Sequence, residues 1–305
     1  MSGFIYDFFG YPATDQSSKA ALTAEAGECP LLHDVCTKKL SRDGDLIPSG
    51  ACAVKQISSP EPIICCPVRL YARDYELLRI ITLKAFGEER NLYPADIAVE
   101  KAREENGAVA VFGHRWGREL RLPKRDGQGN YFADWVLALL DGNGELQEFT
   151  SIEVQTIDTT GNYRDSRDGL LNGRRMVKSS VGLNWENVAK RIIPQLVYKG
   201  QVLQREKYCR TGLWFVTPQP VFERILTRLG GMDNIAFGYS PQPGALHFFR
   251  YDFDLNSPRI EGEITPLKLV GLDTTTVEQV QSAFNRVMLP EPGVYGQALR
   301  ESLSE

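Results

Sequence analysis

Five of the chain's six cysteines, Cys29, Cys36, Cys52, Cys65 and Cys66, fall within a span of 38 residues. They lie in a stretch, residues 11 to 69, that is rich in Gly, Pro and Ser and shows no long periodic apolar pattern. A segment like this folds poorly on hydrophobic burial alone, and a metal would supply the missing stabilisation. The choice between metal and disulfide depends on the compartment. Met1-Ser2-Gly3-Phe4-Ile5-Tyr6-Asp7 lacks the basic-then-apolar layout of a signal peptide. No stretch approaches the ~20 apolar residues that span a membrane. The reading is a cytoplasmic chain with no membrane partner, whose clustered cysteines bind metal. Their spacings are long and contain no Cys-x-x-Cys pair, so no standard zinc ribbon is present, and free core thiols are the competing reading. Four thiolates would suit iron or zinc and leave no open position, which makes the role structural. His33 is an alternate ligand, and Cys209 reads as an ordinary thiol.

With 305 residues, the chain has room for one large domain or two smaller ones. The division drawn from the sequence is a cysteine module over residues 1–70 and a second domain over residues 71–305. From Tyr71 onward the pattern becomes periodic. Leu77, Leu78, Ile81, Leu83 and Phe86 mark a helix stopping near Gly87, and Pro94 opens another that ends by Gly107. Residues 108–112, 132–140 and 149–157 read as strands, the last two joined by the hairpin turn Asp141-Gly142-Asn143-Gly144. A long amphipathic helix spans 184–203, kinked at Pro194. A strand at 213–216, a helix at 221–229, a strand at 246–251 and a helix at 277–287 follow. Helix, three strands, helix, strand predicts an α/β (α+β) core with a mixed central sheet flanked by helices.

Two of these strands carry polar residues inside apolar runs: Asp134 in one, Glu153 and Gln155 in the other. Alternate strand residues share a face, so Glu153 and Gln155 point the same way. If the two strands are the arms of one hairpin, Asp134 approaches Glu153. Carboxylates meeting on a sheet repel unless a cation lies between them, and a hard divalent ion with oxygen ligands is the natural occupant. Such an ion activates water and stabilises a phosphate under attack. Solvent-facing strand carboxylates are the plain alternative.

An Asp, a hairpin, then Glu-x-Lys is the signature of the restriction-endonuclease-like nuclease fold; here Gln155 stands where Lys is usual. In its wording the chain resembles the NotI-type restriction endonucleases. The resemblance runs through Phe4-Ile5, Phe8-Phe9-Gly10, Cys29-Pro30, Cys66-Pro67, Gly117-Arg118-Glu119-Leu120 and Asp134-Trp135. It continues through Glu153-Val154-Gln155-Thr156, Gly161-Asn162-Tyr163, Asn187-Val188, Lys190-Arg191, Gln195 and Tyr198-Lys199. It implies a magnesium-dependent, site-specific cut of double-stranded DNA by a homodimer. It places Asp134 and Glu153 on the metal, Gln155 beside the attacking water, and Glu119 as a further acidic residue of the site. It also implies an iron site held by Cys29, Cys36, Cys52 and Cys66. Cys66 is chosen over Cys65 because it precedes a proline, and zinc remains the alternative metal.

A Gln amide orients water but carries no charge, so the electrostatic work falls on the metal or on another cation. Lys190 is a candidate, with a phosphate contact or a solvated helix face as the plainer readings. The net charge of -4 runs against a polyanion partner, but basic residues cluster at 115–125, 164–178 and 190–210. The segment leaving the catalytic strand is where DNA contacts are expected: Asn162, Tyr163, Arg164, Arg174 and Arg175, joined by Lys190 and Arg191. A non-catalytic DNA-binding protein on a nuclease-like scaffold is the alternative reading, and a metal-thiolate redox protein ranks behind it.

Overall fold

A computed structural model of the chain describes every residue except 1, 43, 60, 117–118, 121–132, 287–290 and 305. The fold is mixed α/β: a central seven-stranded mixed sheet with helices on its faces, and a smaller sheet at the N-terminus.

The N-terminal sheet is antiparallel, in the order β2 (Tyr11–Pro12), β1 (Gly3–Phe8), β7 (Ala51–Gln56), β8 (Ile63–Ile64). Two small hairpins and one helix lie between its strands. They are β3 (Glu28–Cys29) with β4 (Asp34–Val35), β5 (Lys39–Arg42) with β6 (Asp45–Pro48), and α1 (Ser18–Ala26). The strand β7 is built from small residues, Ala51-Cys52-Ala53-Val54, all buried. Small side chains give little periodic signal but let a second layer approach closely, so a stretch without an obvious apolar pattern still makes a packed sheet.

The central sheet runs β17 (Leu267–Thr276), β16 (Ala245–Phe253), β15 (Leu213–Pro218), β12 (Leu146–Val154), β11 (Trp135–Leu140), β10 (Ala108–Gly113), β9 (Leu92–Pro94). Strands β12, β15 and β16 are mutually parallel, while β10, β11 and β12 form an antiparallel meander. The hairpin read at 141–144 forms. Asp141 Oδ1 accepts from the backbone N–H groups of Asn143 and Glu145, both at 2.9 Å, and Gly144 supplies the left-handed residue (φ 82°) that closes the turn.

Alternation along β15 sorts the core into two layers. Leu213 and Phe215 pack with α5 (Ile193–Leu203), α6 (Gln219–Arg228) and α7 (Val277–Asn285). Trp214 and Val216 face the other way, with Trp135, Leu137 and Ile152, against α2 (Ala72–Phe86). A third, smaller cluster joins α3 (Ala98–Glu105) to β10. The first of these cores also takes in Ile5, Phe8, Phe9 and Val54, so residues on both sides of position 70 share one apolar interior.

Three elements differ from the sequence reading. The segment after β12 holds a helix, α4 (Arg164–Leu171), in place of a continuous loop. The long helix at 184–203 is divided: residues Val188–Ile192 form a π-turn, and α5 starts at Ile193. Pro194 has no N–H to give and its ring crowds the carbonyl four residues back, so the widened turn replaces a sharp kink. A C-terminal helix, α8 (Val294–Ser304), buries none of its residues. Among the described residues, no helix is long and apolar enough to cross a membrane.

One buried group makes the sheet acid-sensitive. His247 on β16 stacks on Trp214 with 4.1 Å between centroids; its Nε2–H donates to the Thr211 carbonyl (2.6 Å), and Nδ1 accepts from the Thr274 hydroxyl (2.9 Å). Burial drives its pKa down to about 4, against the pull of the Thr211 carbonyl. The folded state thus binds this proton less readily than the unfolded chain, whose histidine titrates near the ordinary 6.5. Stability is complete above that value and is lost as pH falls from 6.5 toward 4, by about 3 kcal/mol in all. Denaturant titrations between pH 7 and 4 should show this loss, with a shallower slope in His247→Phe; equal slopes would remove the assignment.

Candidate active site

The site is built by the β11–β12 hairpin. Its register pairs Trp135 with Ile152, which brings Asp134, one residue before β11, level with Glu153. Asp134 is exposed as a residue, yet its carboxylate accepts from the backbone N–H of Val154 at 2.7 Å. Because Ile152 and Val154 belong to the α2 layer, Glu153 projects from the opposite face, toward α5. There it meets Lys199, whose ammonium donates to Glu153 Oε2. The Glu153 residue is only 7% exposed, and the Lys199 side chain 18%.

The electrostatics follow from this crowding. Burial first and the neighbouring Asp134 second push the Glu153 carboxyl up, Lys199 and its hydrogen bond pull it back, and the balance leaves it at about 7. Asp134 is also raised, by burial first and by Glu119 in part, against the opposing effects of the Val154 N–H and Lys199. A dry wall accounts for the burial. On the same sheet face Ala133, Val136, Ala138, Phe149 and Val202 line an apolar groove of about 450 Å³. Two carboxylates beside one ammonium leave a net negative charge in poorly solvated surroundings, the condition in which a divalent cation is favoured.

Lys199 is the cation beside Glu153, and the sequence reading did not single it out in that part. The residue proposed for that part, Lys190, is 71% exposed and pairs with Glu186 at 3.8 Å on the helix surface. Gln155 lies one residue beyond β12, half-buried, and its amide donates to the Thr156 carbonyl (2.9 Å) rather than to either carboxylate. Glu119 is exposed, 3.6 Å from His114 Nδ1, and close enough to Asp134 to act on its carboxyl.

The DNA-contact candidates divide. Tyr163 is buried, its hydroxyl 2.9 Å from Ser49 Oγ. Arg174 is buried too, its guanidinium donating to the carbonyls of Pro12 (2.7 Å), Ala20 and Asp15. Both side chains tie the segment to the N-terminal sheet and do not face solvent. Asn162 is exposed and accepts from the Arg164 N–H (2.8 Å), while Arg164 reaches the Ser41 carbonyl (2.7 Å). Arg175 is exposed, and Arg191, with a side chain 61% exposed, pairs with Asp158 at 3.3 Å. Arg191–Asp158 and Lys199–Glu153 together lay the helical segment 188–203 along the end of β12 and the residues that follow it. Of the basic run at 115–125, Arg115 is held by the Leu32 carbonyl and Asp34. Arg118, Arg121, Lys124 and Arg125 lie outside the described residues, as do Tyr131 and Phe132.

All six cysteines are buried and unpaired. The thiols of Cys52 and Cys66 share a hydrogen bond, and Cys29 lies in the field of Cys66 and Cys36. Among the described residues, no three His, Cys, Asp or Glu side chains stand in a chelating arrangement. Cys29, Cys36, Cys52 and Cys66 have the donor chemistry that a thiophilic metal takes, but among the described residues they are not brought together as a metal-binding group, so the four-cysteine module read from the sequence is not shown. The demand at the carboxylates is smaller, because magnesium takes one or two of them and fills its remaining positions with water and phosphate oxygens.

No family model matches the chain, and no curated protein matches it.

Proposed function

We propose that the chain is a magnesium-dependent endonuclease with a restriction-endonuclease-like core, cutting double-stranded DNA site-specifically as a homodimer. The observation that carries the reading is the meeting of Asp134 and Glu153 across one hairpin, beside Lys199, on a face otherwise walled by apolar side chains. Asp134 and Glu153 would hold the metal, which when bound polarises the phosphate and supplies an activated water. Asp134 is fixed by the Val154 N–H and Glu153 by the Lys199 ammonium, so neither carboxylate has to be ordered when the metal arrives. Lys199 supplies the positive charge that Gln155 lacks, delivered from a helix instead of from the strand. The exposed Arg164, Arg175, Lys190 and Arg191 are the side chains left to meet phosphates.

The resemblance to NotI-type enzymes supports the substrate, the dimer and a structural four-cysteine iron centre, zinc being the alternative. A chain with one Asp…Glu-x-Gln set and no internal repeat needs a second copy to cut both strands at once. The test is incubation of purified protein with plasmid and genomic DNA, with and without magnesium, and sedimentation of its calcium complex. Discrete bands and two chains per duplex are the expected outcome, with binding that weakens steeply in salt. A mobility shift without cutting would favour a non-catalytic DNA-binding scaffold. One chain per duplex with nicked products would overturn the dimer.

A further inference from the structure

The C-terminal helix α8 buries none of its residues, yet one of its faces is apolar: Tyr295 is 86% exposed, Leu299 60% and Leu303 85%. These three are spaced four apart, with Ala298 beside them, and Gln297, Arg300, Glu301 and Ser304 fall on the other side. With 11 residues the helix is shorter than the ~12–15 at which an isolated helix holds in water. Its stability must come from packing of the apolar face. The central sheet carries a matching gap. Between Val99 of α3 and Val202 of α5 runs the apolar groove of about 450 Å³, floored by β10, β11 and β12. Three neighbouring strands span about 10 Å, which is close to the width of one α-helix with its side chains. Glu206 is the charged residue on the groove's rim, and Arg300 flanks the apolar face of α8. Among the described residues neither forms an ion pair.

We propose that α8 of a second copy of this chain fills the groove, so that two chains exchange their C-terminal helices about a two-fold axis. The inference rests on the homodimer reading given above and names its interface. Within one chain α8 is packed on nothing, so its own groove is not its seat. A reciprocal exchange satisfies both bare helices and both grooves and then closes, whereas a one-way exchange would run on into a filament. Tyr295, Leu299 and Leu303 enter the groove as the anchors of an amphipathic helix, and Arg300 meets Glu206 at its rim. Ala133 and Ser151, at one end of the groove, adjoin Asp134 and Glu153 in the chain. Each helix therefore closes the dry wall beside its partner's carboxylates, and the site is complete only in the dimer.

Sedimentation equilibrium of the full-length protein, in chelator and without DNA, tests this apart from any cleavage. The parent should be a dimer. Leu299→Asp with Leu303→Asp should weaken it about a hundredfold or more, the worth of two buried leucines. Val99→Asp on the groove side should weaken it as well. Every substituted position is exposed in the single chain, so the variants keep their fold. Charge reversal then separates exchange from docking within one chain. Arg300→Glu and Glu206→Arg should each dimerise about tenfold more weakly, since like charges meet at both rims. Mixing the two variants should restore the parent's dimerisation, because each helix then meets a groove of opposite charge. A mixture no better than its components would overturn the exchange, as would a dimer indifferent to the two leucine substitutions. A monomeric parent would overturn both the exchange and the dimer reading, and would leave the assignment of Asp134 and Glu153 to its own cleavage test.

Discussion

Glu153→Gln should abolish magnesium-dependent cleavage, by roughly 10³-fold or more, the scale on which a single preorganised electrostatic group acts in an active site, while DNA is still bound in calcium. The same variant should be the more stable protein at pH 8 in chelator. With Asp134 and Glu153 both ionised beside one ammonium, the parent holds an excess negative charge at a site where Glu153 is 7% exposed. The neutral amide of the variant leaves one carboxylate facing one ammonium. The sign is fixed by the raised carboxyl. The folded protein holds the Glu153 proton up to about pH 7, whereas the unfolded chain releases it near the ordinary 4.5. The stability tied to that proton is present below 4.5 and disappears as pH rises through 7. The advantage of the variant therefore opens across that window and reaches about 1–3 kcal/mol, the lost hydrogen bond from Lys199 trimming the full linkage value. Melting both proteins at pH 5 and pH 8 measures it. Strong cutting by the variant would end the catalytic assignment; a stability gap of the same size at both pH values would end the charge argument.

Arg69→Met should destabilise the protein by about 3–5 kcal/mol, the range for stripping one partner from a buried ion pair. Arg69 and Asp7 are both fully buried and meet through Nε and Oδ2 at 2.9 Å. Arg69 also donates to the Thr265 carbonyl and lies over the Phe253 ring, 5.7 Å from its centroid. Those contacts join β1, the turn after Cys66, and the segment between β16 and β17. Among the described residues, Asp7 Oδ1 and Arg69 Nη1 have no further hydrogen-bond partner, so the pair depends on few contacts. Burial already pushes the Asp7 carboxyl up, and Arg69 is the main influence holding it down. Without Arg69 the carboxylate must be buried uncompensated or protonated. Asp7→Leu combined with Arg69→Met should recover much of the loss, since an apolar pair leaves no orphaned charge. A cost under about 1 kcal/mol for Arg69→Met, measured by denaturant titration, would show that the pair is not a clamp.

The β11–β12 hairpin was legible because the two apolar runs flanking Asp141-Gly142-Asn143-Gly144 leave a hairpin as the simplest reading, and the polar Asp134 and Glu153 stand out inside them. Lys199 was not, since a lysine on an amphipathic helix looks the same whether it meets solvent or a carboxylate. Lys190 and Lys199 are nine residues apart, roughly two and a half helical turns. That spacing sends them to opposite faces, and only the docking of the helix chooses between them. The strand β17 escaped because Leu267-Lys268-Leu269-Val270 and the Thr run after it do not alternate cleanly. It is an edge strand and is only partly covered. The helix α4 hid behind its charge, since Arg164, Asp165, Arg167 and Asp168 read as a loop, yet Ser166 and Arg167 are buried. Arg174 and Tyr163 misled for a related reason: composition marks a residue as able to meet DNA, and packing decides that it meets Pro12 or Ser49 instead.

The stitching of residues 157–183 to the N-terminal sheet has a thermodynamic consequence. Ile5 N–H donates to Ser166 Oγ at 3.0 Å, Tyr163 reaches Ser49, Arg174 reaches Pro12, and Gly3 and Ser179 exchange backbone hydrogen bonds of 2.9 and 2.8 Å. A segment anchored at four points has already lost its conformational entropy during folding. Little remains to be lost when a ligand is met, so more of the interaction energy appears as affinity. Rigidity acts in the other direction as well. A surface that cannot rearrange cannot relax around a poorly fitting partner, and each misplaced contact is felt at full strength. On the DNA-cutting reading proposed above, the small sheet at the start of the chain would thereby set how strictly a surface more than 150 residues away in sequence discriminates.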